Sequence, residues 1–265
     1  RFERLMDDMG RDLDKIDESH NHTTHQYSMG TASVSTGSKS VMTINLNRLI
    51  QLAARRYFLE KKGVMLDGGK ALNRADYDKN QLYSYIREAV REGTERVHKY
   101  QIAFNEIIKD FLNAGMLDVY SAGFIDMRRQ YLTIGVNGLT DAAEFLGLTI
   151  SPNPEYNEFV DVVLETINIT NRKDKTPEAM FNTEFVPGEN LSGKNYNWDK
   201  RDGFFVSPKH GMYSSYFYNP EDESLSMIDK FKLHGNDYVK HLDGGSALHM
   251  NVAEHLTKDQ YRQLL

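Results

Sequence analysis

The sequence predicts an α/β protein in which amphipathic helices alternate with short strands. A long helical repeat of apolar residues occupies residues 80–113, and two short β-type runs follow at residues 130–136 and 182–186, with further helical segments between them. This alternation is typical of a barrel or of a wound sheet whose helices lie over the strands. At 265 residues, the chain has the length of one large α/β domain.

The composition is that of a globular protein and excludes several classes of function. Hydrophobic residues make up 40% and charged residues 26% of the chain, which is enough for a sizeable core. A net charge of -6 gives no long-range attraction to nucleic acid or to an anionic membrane, so we expect neither as a partner. No apolar run is long enough to span a bilayer, and we therefore expect a cytoplasmic protein. With zero cysteines, these residues cannot form disulfides, thiolate metal sites or cysteine nucleophiles.

The first part of the chain predicts two helices joined by a polar loop. Apolar residues at three- and four-residue spacing in residues 1–16 predict an amphipathic helix. Residues 19–40 are rich in Ser, Thr, His and Gly and predict a loop. Residues 41–46 form either a short strand or the beginning of a helix, and the periodicity of residues 49–59 is helical.

The middle of the chain gives the clearest pattern. The long helix of residues 80–113 ends before Gly115, which can adopt the left-handed conformation of a helix cap. Residues 130–136 predict a strand, and residues 140–146 predict a short helix with an acidic residue favourably placed in its first turn. Two prolines then precede a further helix over residues 155–170.

Strands and loops are predicted to dominate beyond residue 181. The runs at residues 182–186, 213–218 and 227–233 resemble strands. Thr257 and Gln260 form the pattern of a capping box, so a helix is expected to begin there. The first residue is Arg and this last helix has no stop signal, so we expect both ends to be cuts in a longer polypeptide.

Residues 188–195 match the phosphate-loop pattern as far as its lysine. The match then fails, because Asn195 stands where a Ser or Thr hydroxyl should reach magnesium, and Pro187 interrupts the approach to the loop. We therefore expect no ATPase of the P-loop type. A simpler anion site remains open, since Gly188 and Gly193 let backbone N–H groups approach phosphate and Lys194 supplies charge. A turn-rich surface loop is the alternative interpretation.

A glycine pair, Gly244 and Gly245, lies between Asp243 and Ser246, before an alternating run at residues 247–251 that predicts a strand. Paired glycines beside a strand allow a ligand to approach the backbone closely. Without further information a tight turn is the favoured interpretation.

Three histidines, His20, His22 and His25, are close enough in sequence to suggest a metal site. No ordered element is predicted after them that would fix their geometry. We therefore favour a solvated loop and predict no metal ligands in this chain.

Four stretches together resemble the class III, anaerobic ribonucleotide reductases, which belong to the glycyl-radical enzymes. They are TGSKSVMTINLNR at 36–48, YLTIGVNGLTDAAEFLG at 131–147, FNTEFVPGEN at 181–190 and LDGGSALH at 242–249. Their order and spacing make the match specific, and it extends from about residue 31 to the end of the chain.

The resemblance implies a ten-stranded α/β barrel made of two antiparallel five-stranded halves around a finger loop. In this family a glycyl radical, installed by a radical-SAM activating enzyme, converts a finger-loop cysteine to a thiyl radical that attacks the ribose of a ribonucleoside triphosphate. A closed barrel protects such a radical from water. The reductant is formate or a thioredoxin-like protein, and the full-length enzyme is expected to be a homodimer. No cofactor is expected on this segment.

The resemblance also assigns site residues. Ser38 lies near the position of an active-site Asn in some relatives, so a hydrogen bond from its hydroxyl to substrate is expected. A loop proposed to hold the substrate phosphates corresponds to Pro187, Gly188, Glu189, Asn190, Leu191, Ser192 and, from the anion-loop pattern, Lys194. A glycine pair near the active-site end of a late strand corresponds to Gly244 and Gly245, with Ser246 following.

The chain departs from the family in what it lacks. The finger-loop cysteine is expected just before Arg1, and the structural zinc site and radical glycine are expected beyond Leu265. The ATP cone and most dimer helices are expected upstream. Residues 1–265 are thus interpreted as part of a catalytic barrel, with residues 1–40 as the return of the finger loop and its helix and 41–265 as barrel wall. Such a fragment is expected to be inactive alone. The alternative is a catalytically inactive nucleotide-binding or interaction module on the same scaffold.

Overall fold

The computed structural model describes residues 37–249 and 257–264. The predicted helix at residues 1–16, the histidines at 20, 22 and 25 and most of the loop at 19–40 lie outside these ranges.

The described residues form a three-stranded parallel sheet in the order β1-β2-β3. Strand β1 is Gly37–Asn45, β2 is Gln130–Asn137 and β3 is Met180–Glu184. Gly245 adds an isolated parallel bridge to Glu184, beside β3. The predicted α/β class is confirmed. The region 41–46, left open between strand and helix, is strand as far as Asn45, and Leu46 begins the next helix. Residues 37–40, predicted as the end of a loop, are the first part of β1, so that part of the loop prediction is wrong.

Helices connect and flank the strands. They are α1 Leu46–Lys62, α2 Lys79–Asn113, α3 Asp118–Ser121, α4 Leu139–Phe145, α5 Pro154–Asp174, α6 Glu189–Arg201, α7 Met227–Leu233, α8 Asn236–Val239 and α9 Lys258–Leu264. Asp78 caps α2 by accepting the Gln81 N–H, and Asn153 caps α5 by accepting the Tyr156 N–H. The predicted capping box at α9 is confirmed, because Thr257 and Gln260 bond to each other's backbone N–H.

Two strand-like predictions are wrong. Residues 213–218 are irregular, because the Ser214 hydroxyl bonds to the Tyr218 carbonyl and accepts the Tyr216 N–H, replacing ladder bonds with local ones. Residues 227–233 form α7, which begins where the Ser226 hydroxyl accepts the Asp229 N–H. The residues that this helix buries are Lys230 and Leu233, which lie three residues apart.

The two faces of the sheet differ in chemistry. One face is apolar and packs under α1, α2 and α5; it includes Ile44, Leu132, Ile134, Val136 and Phe181. The strand register places a different set on the opposite face, which we call the polar face: Ser38, Thr43, Asn45, Thr133, Asn137, Asn182 and Glu184. A parallel sheet covered by helices on both sides is apolar on both. Part of the polar face is instead covered by polar side chains of α6, since Asn195 bonds to Asn137 and Asp199 bonds to Asn45.

Candidate functional site

A row of hydrogen-bonding side chains crosses the three strands on the polar face. The Thr133 hydroxyl lies 2.8 Å from Ser38 Oγ and donates to Asn182 Oδ1 at 2.7 Å. Thr133 and Asn182 are fully buried, whereas Ser38 is partly exposed. Ser38 is therefore the solvent-accessible member of the hydrogen-bonded row that it forms with Thr133 and Asn182. Its hydrogen bond to substrate stays a prediction.

The glycine pair continues this row beyond β3. The Gly244 N–H donates to the Thr183 carbonyl at 2.8 Å, and a Cβ on Gly244 would stand 2.7 Å from that carbonyl oxygen and 3.1 Å from Asn182 Nδ2. Gly245 has φ +108°, and its N–H donates to the Leu242 carbonyl in a tight turn. The space beside Gly244 is thus filled by β3, and the tight-turn interpretation describes its backbone.

The predicted strand after this turn is not regular in its described part, residues 247–249, and residues 250–251 lie outside the described ranges. Ser246 Oγ is buried and has no hydrogen-bond partner among the described residues.

The residues of the phosphate-loop pattern form the beginning of α6, not a loop. Gly188 is the N-cap, its carbonyl accepts the Ser192 N–H at 2.8 Å, and the helix runs on through Gly193 and Lys194. A P-loop requires a non-helical backbone wrapped around the phosphate, so the helical geometry excludes it. The first N–H groups of a helix remain available to an anion, and the helix dipole favours negative charge at that end.

α6 is anchored to the sheet by polar side chains at helical spacing. Asn195 Nδ2 donates to Asn137 Oδ1 at 3.0 Å, and Asn137 Nδ2 donates in turn to Ser192 Oγ at 2.9 Å. Asn195, which breaks the P-loop pattern, therefore links α6 to the end of β2 through a buried hydrogen bond. These bonds fix the rotation of α6 about its axis.

One turn further along α6, Asp199 is fully buried within a second cluster. Its carboxylate accepts from Asn45 Nδ2 at 2.9 Å, from the Tyr213 hydroxyl at 2.7 Å and from Arg48 Nε at 2.5 Å. Burial and then the hydrogen bond to Asp199 raise the pKa of Tyr213, so its hydroxyl stays protonated as the donor. The cluster joins α6 to β1, to α1 and to the segment after α6.

A cavity of about 250 Å³ opens at the N-terminal end of α6. Pro187, Gly188 and Ser192 contribute to one side of it. The other lining residues are mostly polar: Lys209, His210, Gly211, Met212, Tyr213, Ser214, Ser215, Tyr216, Asn219, Pro220, Glu221 and His249. Lys209 Nζ lies 3.5 Å from Glu144, so one cation at this cavity is already near a carboxylate.

Asp141 supports the cavity wall at Ser214 through a hydrogen bond to the backbone. This residue is buried in the first turn of α4, and its carboxylate accepts a backbone hydrogen bond from Ser214. Burial, and then the nearby charge of Glu144, raise the pKa of Asp141 to about 7. The Ser214 carbonyl accepts the Gly138 N–H at 3.0 Å, which fixes the same segment to the end of β2.

The structure separates the predicted site residues into two groups. Ser38 and Gly244 lie on the polar row, opposite Tyr131 and beside β3, whereas Ser192 lies at Asn137, the last residue of β2. Along β2 these positions are about 20 Å apart, at roughly 3.3 Å for each residue.

The remaining predicted residues do not line the cavity. Asn190 and Lys194 are exposed and Leu191 is partly exposed; the side chain of Glu189 is outside the description. Their roles in substrate binding stay predictions. Thr133, Asn182 and Lys209 are not among the residues that the sequence predicted for the site. In the β2 run, apolar Leu132, Ile134 and Val136 alternate with Tyr131, Thr133, Gly135 and Asn137, and this alternation was the available signal for Thr133.

No group of three or more potential metal ligands occurs within residues 37–249 and 257–264. In the same ranges, no helix has the length and apolarity needed to cross a membrane.

Comparison with known proteins gives one family and one fold. A family model described as anaerobic ribonucleoside-triphosphate reductase matches residues 6–265. A comparison with curated proteins finds no match. The anaerobic ribonucleotide reductase from Thermotoga maritima with citrate in the active site is 22% identical, with a TM-score of 0.64 over 87% of this chain and 37% of that one. The structure of the same enzyme in complex with dATP and CTP is 24% identical to this chain, with a TM-score of 0.67 over 86% of this chain and 34% of that one. This chain thus spans about a third of the enzymes that it matches.

Proposed function

Because the chain belongs to the anaerobic ribonucleoside-triphosphate reductase family, we propose that it forms part of the wall of a ten-stranded catalytic barrel. In that barrel, ribonucleoside triphosphates would be reduced to deoxyribonucleotides. The observation that carries this proposal is the polar face, which gives one side of the described sheet buried hydrogen-bonding groups where a helix-covered sheet would have apolar ones.

The polar face supports a role in shaping a substrate chamber. The Thr133 hydroxyl bonds to Asn182 and lies 2.8 Å from Ser38 Oγ, which also donates to the Ser40 carbonyl, so the Ser38 hydroxyl is held in one position. Pre-organised polar groups of this kind favour a bound, polar substrate such as a ribose. Ser38 is proposed as the residue of this row that contacts substrate.

The cavity at α6 supports a second role, in holding phosphate. It combines the N-terminal end of a 13-residue helix with Lys209, His210 and the hydroxyl of Ser215. The Thermotoga maritima structure in complex with dATP and CTP shows that a protein of this fold binds nucleotides. We propose that the triphosphate of a nucleotide occupies this cavity.

The radical steps are proposed to take place on segments that this chain does not include. It contains no cysteine, so it cannot itself form the thiyl radical that the family uses. The glycyl radical, its activating enzyme, the reductant and the structural zinc are likewise proposed for the remaining segments. Sequencing the DNA on both sides of this segment tests this: the absence of a finger-loop cysteine and a radical glycine would favour the inactive module.

Phosphate binding can be tested on the chain itself by calorimetry. We expect saturable binding of nucleoside triphosphates and of inorganic tripolyphosphate. Lys209→Ala should weaken binding about tenfold, the effect of losing a hydrogen bond to a charged group. Lys232→Ala, which removes an exposed lysine of α7 outside the cavity lining, is the matched control.

Lys194→Ala tests the sequence-based prediction for that residue in the same assay. If Lys209→Ala binds triphosphates as tightly as wild type, or if no triphosphate binds saturably, the cavity at α6 does not bind the triphosphate as proposed.

A further inference from the structure

A chain of hydrogen bonds on the helix-covered side of the sheet joins α2 to α5, to β3 and to the segment after α8. It ends at the backbone carbonyl of His241. Its other members are side chains, and all of them except Asp174 are buried: His98 of α2, Asn168, Asn171 and Asp174 of α5, and Thr183 of β3.

The direction of each bond in this chain follows from the carbonyl at its end. A carbonyl can only accept, so Asn168 turns its Nδ2 toward His241, at 2.7 Å, and its Oδ1 toward Thr183. The Thr183 hydroxyl has one hydrogen, which it donates to Asn168 Oδ1 at 3.0 Å, so it accepts from Asn171 Nδ2 at 3.0 Å. The remaining oxygen of Asn171 therefore faces the His98 ring.

Both nitrogens of the His98 ring face acceptors. Nε2 lies 2.8 Å from Asn171 Oδ1, and Nδ1 lies 2.8 Å from Asp174 Oδ2. A neutral imidazole has one N–H, so it could donate to only one of these oxygens and would turn a lone pair toward the other. A ring with a hydrogen on each nitrogen donates to both.

The surroundings of the ring favour a positive charge. The His98 ring stacks on Phe181 with the ring centroids 3.9 Å apart, and the face of an aromatic ring attracts a cation. Asp174 supplies the opposite charge that a buried cation requires. Its side chain is 27% exposed, so a proton can pass between this pair and the solvent.

The other charged groups on the elements around the ring leave this pairing intact. The two helices that hold the ring also carry Glu95 on α2 and Lys173 on α5, whose side chains pair with each other at 3.3 Å. β3 approaches the ring with Phe181 and Thr183, which do not titrate. The segment after α8 adds Asp243, which accepts the Thr183 N–H at 2.8 Å.

We infer that His98 is a buried imidazolium and that its proton controls a pH-sensitive joint between α2, α5 and β3, which we call the His98 joint. Loss of the proton would turn a ring lone pair toward Asp174 or Asn171, so α2 would lose one charge-assisted bond to α5. Asn171 cannot compensate by rotating its amide, because it would then lose its bond to Thr183. The stabilisation is therefore present while the ring is charged and is lost as the pH rises and the proton leaves.

The His98 joint lies behind the polar face. Phe181 and Thr183 point toward the helices, whereas Asn182 between them belongs to the polar row. The joint therefore determines how firmly β3 is held behind that row, and it does not depend on the proposed reductase function.

Nitrogen NMR of the histidine rings in the whole chain tests the protonation. Long-range proton–nitrogen correlation spectra distinguish a ring nitrogen that carries hydrogen from a bare one, and His98→Gln identifies the signal. At about pH 7.5, where an isolated histidine is mostly neutral, we expect hydrogen on both nitrogens of His98. Burial lowers the pKa of His234, so that ring is the internal control and should show one bare nitrogen. A bare nitrogen on His98 at this pH overturns the inference.

Asp174→Asn tests the consequence for stability. The Nδ2 of the new amide can donate to His98 Nδ1, so a neutral ring with hydrogen on Nε2 keeps both bonds. As the pH rises from about 6 to about 9, the equilibrium constant for unfolding in urea should increase about tenfold more in wild type than in the variant. Asp110→Asn, at an exposed carboxylate of the same helix as His98, is the matched control and should follow wild type.

If the difference between Asp174→Asn and wild type does not change with pH, the His98 joint is not pH-sensitive and the inference fails. Should the variant not fold, the spectrum of the wild-type chain still decides whether the ring is charged.

Discussion

Asp141 allows a quantitative test of how the cavity wall is held. Its carboxyl group is buried and its pKa is raised from 3.8 to about 7, first by burial and then by the charge of Glu144. The folded protein therefore binds this proton more tightly than the unfolded chain does. The resulting stability is full at pH values below the unfolded pKa and is lost as the pH rises through 7.

The size of the effect follows from the two pKa values. At 1.36 kcal/mol for each unit, the free energy of unfolding should fall by about 3 kcal/mol between about pH 5 and pH 8 because of this group alone. Asp141→Asn replaces the carboxyl by an amide that can still accept the Ser214 N–H but does not titrate in this range. The variant should gain about 3 kcal/mol relative to wild type over the same interval.

Urea unfolding followed by circular dichroism at several pH values measures this difference. Comparing variant and wild type at each pH cancels the contributions of other titrating groups. Asp67→Asn, at a loop carboxyl that is 80% exposed, is the matched control and should show no such trend. A difference between Asp141→Asn and wild type that does not change with pH would refute the assignment of a raised pKa to Asp141.

Further predictions concern the anchoring of α6 and the glycine turn. Asp199→Ala leaves Asn45 Nδ2 and the Tyr213 hydroxyl without their buried acceptor, so the free energy of unfolding should fall by about 2–4 kcal/mol in urea titration; a loss below about 0.5 kcal/mol would contradict the cluster's role. Gly244→Ala places a Cβ against the backbone of β3 and should destabilise by about 1–3 kcal/mol. Gly193→Ala is its control within a helix: no atom lies within 4 Å, and we expect stabilisation of up to about 1 kcal/mol.

Periodicity in the sequence was sufficient to predict the elements that pack with one apolar face. Residues 80–113 and 130–136 were predicted to within one residue of α2 and β2, because their apolar residues repeat at the spacing of a helix and of a buried strand. The two wrong strand predictions, at residues 213–218 and 227–233, each have a local cause. The Ser214 hydroxyl competes for backbone bonds at residues 213–218, and the short α7 depends on the cap at Ser226 more than on its apolar pattern.

The candidate site was predicted less completely because its geometry depends on contacts between residues that are far apart in the sequence. The sequence motif indicated an anion-binding segment at Gly188–Lys194 but not that it begins a helix. That helix is fixed by Asn195 and Asn137, which lie 58 residues apart, and no local pattern relates them. The separation of Ser38 from Ser192 likewise follows from the parallel register of the strands.

The order of the strands along the chain also determines how this protein can fold. β1 pairs only with β2 among the described strands, and the 35-residue α2 lies between them in sequence. α2 can form early through contacts within a few residues, whereas the β1–β2 pair must first close a long loop. A sheet made of such non-local pairs forms slowly, and its strand edges stay open until the helices are in place. We therefore expect α2 and its contacts with α1 to form first and the polar face to assemble last.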